Sequence, residues 1–132
     1  MSEVVKTEQE LLAEKIDLLS ADLVKRAAEL KVEHNGAEIE PLLFLDPKDA
    51  VNGQPIVGFL KEPNRATKAN IGDQILKSHF MGNMVALQAC LLTEISDKRL
   101  LSQDRDYDAV IFAAGEKAAA FVKISIDLIK KK

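Results

Sequence analysis

The sequence predicts a mostly helical α+β protein. A small antiparallel β-hairpin or three-stranded meander, over about residues 32–62, is expected to pack on a bundle of three C-terminal helices, with a further helix at the N-terminus. Three observations carry this reading. Apolar residues recur at spacings of three and four on both sides of a central stretch. That stretch is punctuated by Pro41, Pro47, Pro55 and Pro63, which forbid a long helix. It also holds two Asn-Gly dipeptides, Asn35-Gly36 and Asn52-Gly53, whose residues tolerate the positive φ of tight turns.

The first helix is expected from about Glu8 to Leu30. Thr7 and Glu10 have capping-box spacing, so each side chain can satisfy a backbone N–H of the first turn. Leu12, Ile16, Leu19, Leu23 and Leu30 form one narrow apolar stripe. Asp22 and Arg26 stand at i,i+4 and are expected to pair. The rest of the helix is charged. Residues 1–31 therefore read as an amphipathic arm and 32–132 as a single α+β domain. The arm's stripe suits either the body of the protein or a partner helix.

In the central stretch, Ile39–Leu45 and Ile56–Lys61 are rich in Ile, Leu, Val and Phe and read as strands. Gly58 inside the second strand signals a bulge or a close backbone approach. A sheet this small is marginal alone and must lie on the helices.

The C-terminal part returns to helical periodicity. Asn64 is a good N-cap for a helix through about Ser78, with Ala69, Ile75 and Leu76 on its apolar side. Gly82-Asn83 reads as a break, followed by a helix from about Met84 to Ile95 carrying Met84, Leu87, Leu91 and Ile95. A polar loop, Ser96–Asp106, leads to the last helix, Tyr107 to Lys130. Tyr107, Ile111, Ala114, Ala118, Phe121, Ser125 and Leu128 line one face there, and Val110, Phe112, Val122, Ile126 and Ile129 widen it. Asp104, Asp106 and Asp108 stand at its positive end and Lys130–Lys132 at its negative end, as the helix dipole prefers. So wide an apolar surface places this helix at the centre of the fold or of an oligomer.

Composition limits the function. With 132 residues, 47% apolar and 30% charged, the chain has the size and make-up of one globular domain. No Trp, one Tyr and five Phe leave the core mainly aliphatic. The net charge of −3 is too small to argue for nucleic acid. It is unevenly spread: residues 1–40 hold ten acids against five bases, and the remainder is net +2. The single cysteine, Cys90, fits a reducing compartment. The opening residues lack the basic start and apolar stretch of a signal peptide. No run approaches the ~20 apolar residues that span a bilayer. The expected location is the cytoplasm, with no membrane partner.

No arrangement of groups suggests catalysis, and neither a cofactor nor a metal is expected. Asp104, Asp106 and Asp108 imitate the start of a calcium loop, but the positions that need Gly and Glu hold Ala109 and Gly115. Cys90 lies between Leu87 and Leu91, where a free cysteine behaves as a small hydrophobe. His34 and His79 belong to no recognisable pattern. Lys61, Arg65 and Lys68 cluster at a strand-to-helix junction, where they read as solvent-facing charges or partners for Glu62 rather than as an anion site.

A resemblance adds to this. Val57-Gly58-Phe59-Leu60-Lys61-Glu62-Pro63-Asn64-Arg65 is a short strand ending in Lys-x-Pro-x-Arg. Leu87-Gln88-Ala89-Cys90-Leu91-Leu92 follows, and then Tyr107-Asp108-Ala109 opens a long terminal helix. Over about residues 52–132 this order resembles the small tail-assembly chaperones of long-tailed bacteriophages and prophages; the N-terminal helix lies outside it. The resemblance implies a non-catalytic protein that binds the tape-measure protein, keeps that long helical chain soluble and helps recruit tail-tube subunits. It implies no catalytic residue and draws attention to Phe59, Lys61, Pro63 and Arg65. The partner-binding residues expected from resemblance and periodicity together are these four with Leu12, Ile16, Leu19, Leu23 and Phe121. The alternatives are a self-assembling structural or scaffold component, which leaves a homo-oligomer open, and a small bacterial adaptor or regulatory protein.

Overall fold

A computed structural model of the chain describes residues 7–50 and 52–130, with the side chains of 7, 9–50 and 52–123. It has three layers. A long helix, α1 (Glu8–Glu33), covers one face of an antiparallel hairpin, β1 (Ile39–Phe44) and β2 (Ile56–Lys61). Three helices lie on the hairpin side opposite: α2 (Arg65–Lys77), α3 (His79–Cys90) and α4 (Asp108–Lys130). The α+β, mostly helical class read from the sequence is the class observed.

The hairpin is apolar on both faces because side chains alternate along a strand. In the register Leu42↔Gly58 and Phe44↔Ile56, the residues Leu42, Ile56 and Leu60 point to the three-helix layer. They join Ile71, Ala86, Leu87, Cys90, Leu100, Ala114, Ala118 and Val122 in the main core. The alternate set, Leu43, Val57 and Phe59, with Ile39, meets Leu23, Ala27 and Leu30 of α1 in a second cluster. Gly58 is a close approach and not a bulge: the register runs through it unbroken, and a Cβ there would collide with Leu100. The meander reduces to two strands plus a single bridge, Leu60↔Leu91. The outer edge of β2 is closed by the Leu92 N–H donating to the Phe59 carbonyl at 2.9 Å and the Asp97 N–H donating to the Val57 carbonyl at 2.8 Å.

Caps set the helix boundaries. The Glu10 N–H donates to Thr7 Oγ1 at 3.1 Å and the Thr67 N–H to Asn64 Oδ1 at 2.9 Å, as the sequence indicates. At its other end α1 stops in a Schellman motif: the Gly36 N–H returns to the Lys31 carbonyl and the Asn35 N–H to that of Val32. Asn35 and Gly36 take φ of 60° and 88°. This dipeptide thus ends a helix, whereas Asn52-Gly53 lies in the long loop between β1 and β2.

Three local expectations are corrected. Gly82-Asn83 does not break a helix; both residues lie inside α3. The break falls at Ser78, whose extended backbone ends α2 and whose hydroxyl accepts the Met81 N–H to start α3. Gly82 is there because α2 and α3 cross so closely that a Cβ would strike the backbone of Ile75. The helix expected over Met84–Ile95 accordingly runs from His79 to Cys90. Finally, Arg26 pairs with Glu29 at 3.0 Å and Glu33 at 3.5 Å, not with Asp22. Of the apolar positions expected on the last helix, Tyr107, which ends a 3₁₀ turn before α4, and Val110, Ala114, Ala118, Phe121 and Val122 of α4 are buried. Ser125, Ile126, Leu128, Ile129 and Lys130–Lys132 lie outside the described side chains.

The two α2–α3 glycines give opposite predictions. Gly82→Ala is expected to destabilise by about 1–3 kcal/mol through overpacking. Gly72→Ala, where the added methyl meets nothing within 4 Å, is expected to stabilise by about 0.4–1 kcal/mol. Urea unfolding of both variants checks the difference; a Gly82→Ala protein as stable as the native one removes the close-crossing account.

Candidate protein-binding surface

Two apolar surfaces remain open to solvent. The first is on α1. The helix is about 39 Å long at 1.5 Å per residue, whereas its buried residues, Leu23, Ala27 and Leu30, all lie in its C-terminal half. Toward the N-terminus the stripe rises out of the protein: Leu19, Ile16 and Leu12 are half-buried. On the adjoining flank of the same turns, Leu11 is 52% and Leu18 71% exposed. They stand seven residues apart and share one face of the helix.

The second surface is a groove of about 610 Å³ between α2 and α4. Ile71, Ile75 and Leu76 form one wall and Ala119, Ala120 and Val122 the other, with Asp73, His79, Asn83 and Lys123 as its polar lining. Leu76 is 86% exposed on the rim. Phe80 of α3 and Phe112 of α4 meet edge to face with centroids 5.0 Å apart. Both rings are exposed, as is Met81. Phe112 lies seven residues before Ala119 on α4, so it continues the groove's apolar wall toward the start of that helix.

The expected contact residues fall into three groups. Leu12, Ile16 and Leu19 flank the open part of α1. Lys61 and Pro63 are half-buried and Arg65 is exposed at the β2–α2 junction, beside a cavity of about 640 Å³ lined also by His34, Asn64 and Cys90. Leu23, Phe59 and Phe121 are interior, the first two between α1 and the hairpin and the third in the main core. The docked α1 closes Leu23 and Phe59 to a partner, and the main core itself closes Phe121. Sequence periodicity missed Leu11, Leu18 and Phe80, because it selects the stripe that packs and passes over apolar residues off it; Leu76, read as part of the apolar side of α2, stands exposed instead.

The polar groups serve the architecture. Lys68 is buried and its ammonium meets Glu62 at 3.2 Å, while the Glu38 N–H donates to the same carboxylate at 2.9 Å. That backbone donor, more than Lys68, holds the Glu62 carboxyl below its usual range. Burial pushes the Cys90 thiol up to about 12, which suppresses the thiolate that nucleophilic chemistry requires. Asp104 caps the 3₁₀ turn Arg105–Tyr107 by accepting the Asp106 N–H, and it also takes the Lys48 ammonium at 2.9 Å. Lys48 in turn sits 5.1 Å from the centroid of the Tyr107 ring. Among the described residues no group of three His, Cys, Asp or Glu side chains is disposed to hold a metal ion, and no helix is long and apolar enough to cross a membrane.

Arg99 makes five side-chain hydrogen bonds. It donates to Asp97 at 2.6 and 3.0 Å, to Asp46 at 3.2 Å, and to the carbonyls of Gln54 and Pro55 at 2.8 and 3.1 Å. It thereby ties both ends of the β1–β2 loop to the segment after α3. The guanidinium holds the Asp97 carboxyl below the usual carboxylate range. No family model matches the chain, and comparison with curated proteins and with solved structures gives no match.

Because the folded-state pKa of Asp97 is lowered, its stabilisation is present above the unfolded value of about 3.9 and is lost as pH falls through the folded one. Asp97→Asn is therefore expected to be less stable than the native chain at pH 7. The gap should narrow below about pH 4, in urea titrations run across that range. A gap that stays constant down to about pH 2 would show that the charge of Asp97 is not the cause.

Proposed function

We propose that this chain is a non-catalytic protein that binds a helical protein partner, in the manner of the small tail-assembly chaperones of long-tailed phages and prophages. Its partner in that role is the tape-measure protein, with tail-tube subunits recruited afterwards, in the cytoplasm of the host cell. One observation carries the reading: large apolar side chains stand in solvent on two helical surfaces, Leu11 and Leu18 on α1 and Leu76, Phe80 and Phe112 around the α2–α4 groove. A long amphipathic helix is recognised by such faces, through anchors at i, i+3, i+4 and i+7. The half-buried stripe Leu12, Ile16 and Leu19 borders the first of them. Exposed Met81 suits a surface that adapts to successive stretches of a long partner. The order of motifs from Val57 to the terminal helix supports the same assignment.

The test is co-purification with the long, helix-rich protein encoded beside this gene, using the native chain and a Leu11→Glu/Leu18→Glu double variant. Both substitutions are on the surface, so stability should change by less than about 0.5 kcal/mol per site. Binding is expected to weaken tenfold or more, about 1.4 kcal/mol. A complex that forms equally well with the double variant rules out the arm as the contact. No complex at all, with both proteins folded, removes the chaperone assignment.

A further inference from the structure

We infer that the helix received by the exposed face of α1 is a basic one, carrying lysine or arginine beside its apolar stripe. The inference rests on the reading of α1 as a surface for a helical partner and names the chemistry of that partner.

The charges around Leu11 and Leu18 carry it. From Glu8 to Asp22 the sequence holds the acids Glu8, Glu10, Glu14, Asp17 and Asp22 against the single base Lys15. Glu14 stands three residues after Leu11 and four before Leu18, and Asp22 four after Leu18, so both border the two leucines. Glu10, Glu14 and Asp17 follow at spacings of four and three and form one column along that border. Glu10, Glu14, Asp17 and Asp22 are all exposed. Lys15 is half-buried; it lies three residues after Leu12 and four before Leu19, on the flank that borders the packed stripe. The next base, Lys25, stands seven residues beyond Leu18, past the pair of leucines. Among the described residues, no base forms an ion pair with Glu10, Asp17 or Asp22; Arg26, four residues after Asp22, turns to Glu29 and Glu33 instead.

The helix does not need these acids for itself. Its dipole favours acids only within the first turn, and Glu14, Asp17 and Asp22 lie beyond it. Like charges at i,i+4 and i,i+3 weaken a helix, and that is the relation of Glu14 to Glu10 and of Asp17 to Glu14. Bases on a partner helix turn this repulsion into attraction and fix the register in which the two helices meet. The sign of the face also excludes other macromolecules, because it repels the phosphates of a nucleic acid and the anionic headgroups of a membrane. The α2–α4 groove makes no such selection, since its polar lining carries both signs, in Asp73 and Lys123.

Three synthetic peptides of about 21 residues, long enough to form a helix, separate charge from apolar contact. Each has leucine at i, i+3, i+4 and i+7, and the remaining positions are lysine-rich, glutamine-rich or glutamate-rich. Their affinities for the full chain are measured by fluorescence anisotropy. The lysine peptide is expected to bind about tenfold or more tighter than the glutamine peptide, with the glutamate peptide weakest. Raising the ionic strength from about 0.05 to about 0.5 M should remove most of the lysine advantage. A Glu10→Gln/Asp17→Asn/Asp22→Asn variant should lose that advantage too, while keeping its affinity for the glutamine peptide. A Leu11→Ser/Leu18→Ser variant, unchanged in charge, should bind all three more weakly. Equal binding of the lysine and glutamine peptides by the native chain overturns the inference and leaves the helix-binding role standing. No binding of any peptide removes the helix-binding face as well. A lysine preference that survives the triple substitution, or lysine binding that the serine variant does not weaken, is diffuse attraction to an acidic protein and refutes the inference. If the triple variant does not fold, the salt series decides: a preference that salt does not move is the refuting result.

Discussion

The fold depends on a hairpin that is apolar on both faces. Two strands of six residues have no independent stability in water. With Leu42, Ile56 and Leu60 on one side and Leu43, Val57 and Phe59 on the other, neither face can be left wet. The helices are where they are because each covers one of these faces. The inner face takes α3 and α4, and Gly58 lets Leu100 descend onto the backbone of β2. The outer face takes α1, whose Schellman turn aims the chain back along the strand it has to cover. Closing the β2 edge with the N–H groups of Leu92 and Asp97 removes the remaining liability of so small a sheet.

Two bases then hold the long β1–β2 loop, and they do so in opposite directions. Arg99 reaches from the segment after α3 to Asp46, Gln54 and Pro55 within the loop. Lys48 reaches from the loop to Asp104 and the Tyr107 ring at the start of α4. Of the three aspartates around the start of the last helix, Asp104 is explained by capping and by Lys48, Asp106 by Lys48 at 3.7 Å, and Asp108 by its place in the first turn of α4. Arg99 contributes more than Lys48 because its guanidinium is partly buried and satisfies two carbonyls that would otherwise face a loop with no ladder of its own. Lys48 and Asp104 are exposed, so their pair is screened by solvent.

How much of this was legible in the sequence follows from how local each cause is. Thr7 and Asn64 cap helices through their own neighbours, so the starts of α1 and α2 could be read directly. The strands could be read from β-rich runs between prolines, and α4 from a pattern sustained over many turns. Gly82 misled because its reason is the backbone of Ile75, which only the crossing of two helices brings near. The true break at Ser78 is a single residue with two capping roles, and no periodicity marks it. Phe59 and Phe121 invited a reading as contacts because exposure is a property of the whole fold and is written nowhere in a strand or a heptad. The same holds for the open surface: Leu76 and Phe80 look like ordinary helix residues until the groove beside them is in view.

The gradation of burial along α1 separates what the helix does for the monomer from what it does beyond it. Leu23, Ala27 and Leu30 stabilise the chain by burial, each leucine by roughly 1.5–3 kcal/mol. Leu11 and Leu18 contribute almost nothing of that kind, since more than half of each remains in water. A helix needs only its capping and its docked half to stay in place, and polar residues at positions 11 and 18 would serve it equally well while lowering the risk of aggregation. On the proposed function, the outward face of α1 offers Leu11 and Leu18 to a helical partner, while its inward face covers the hairpin.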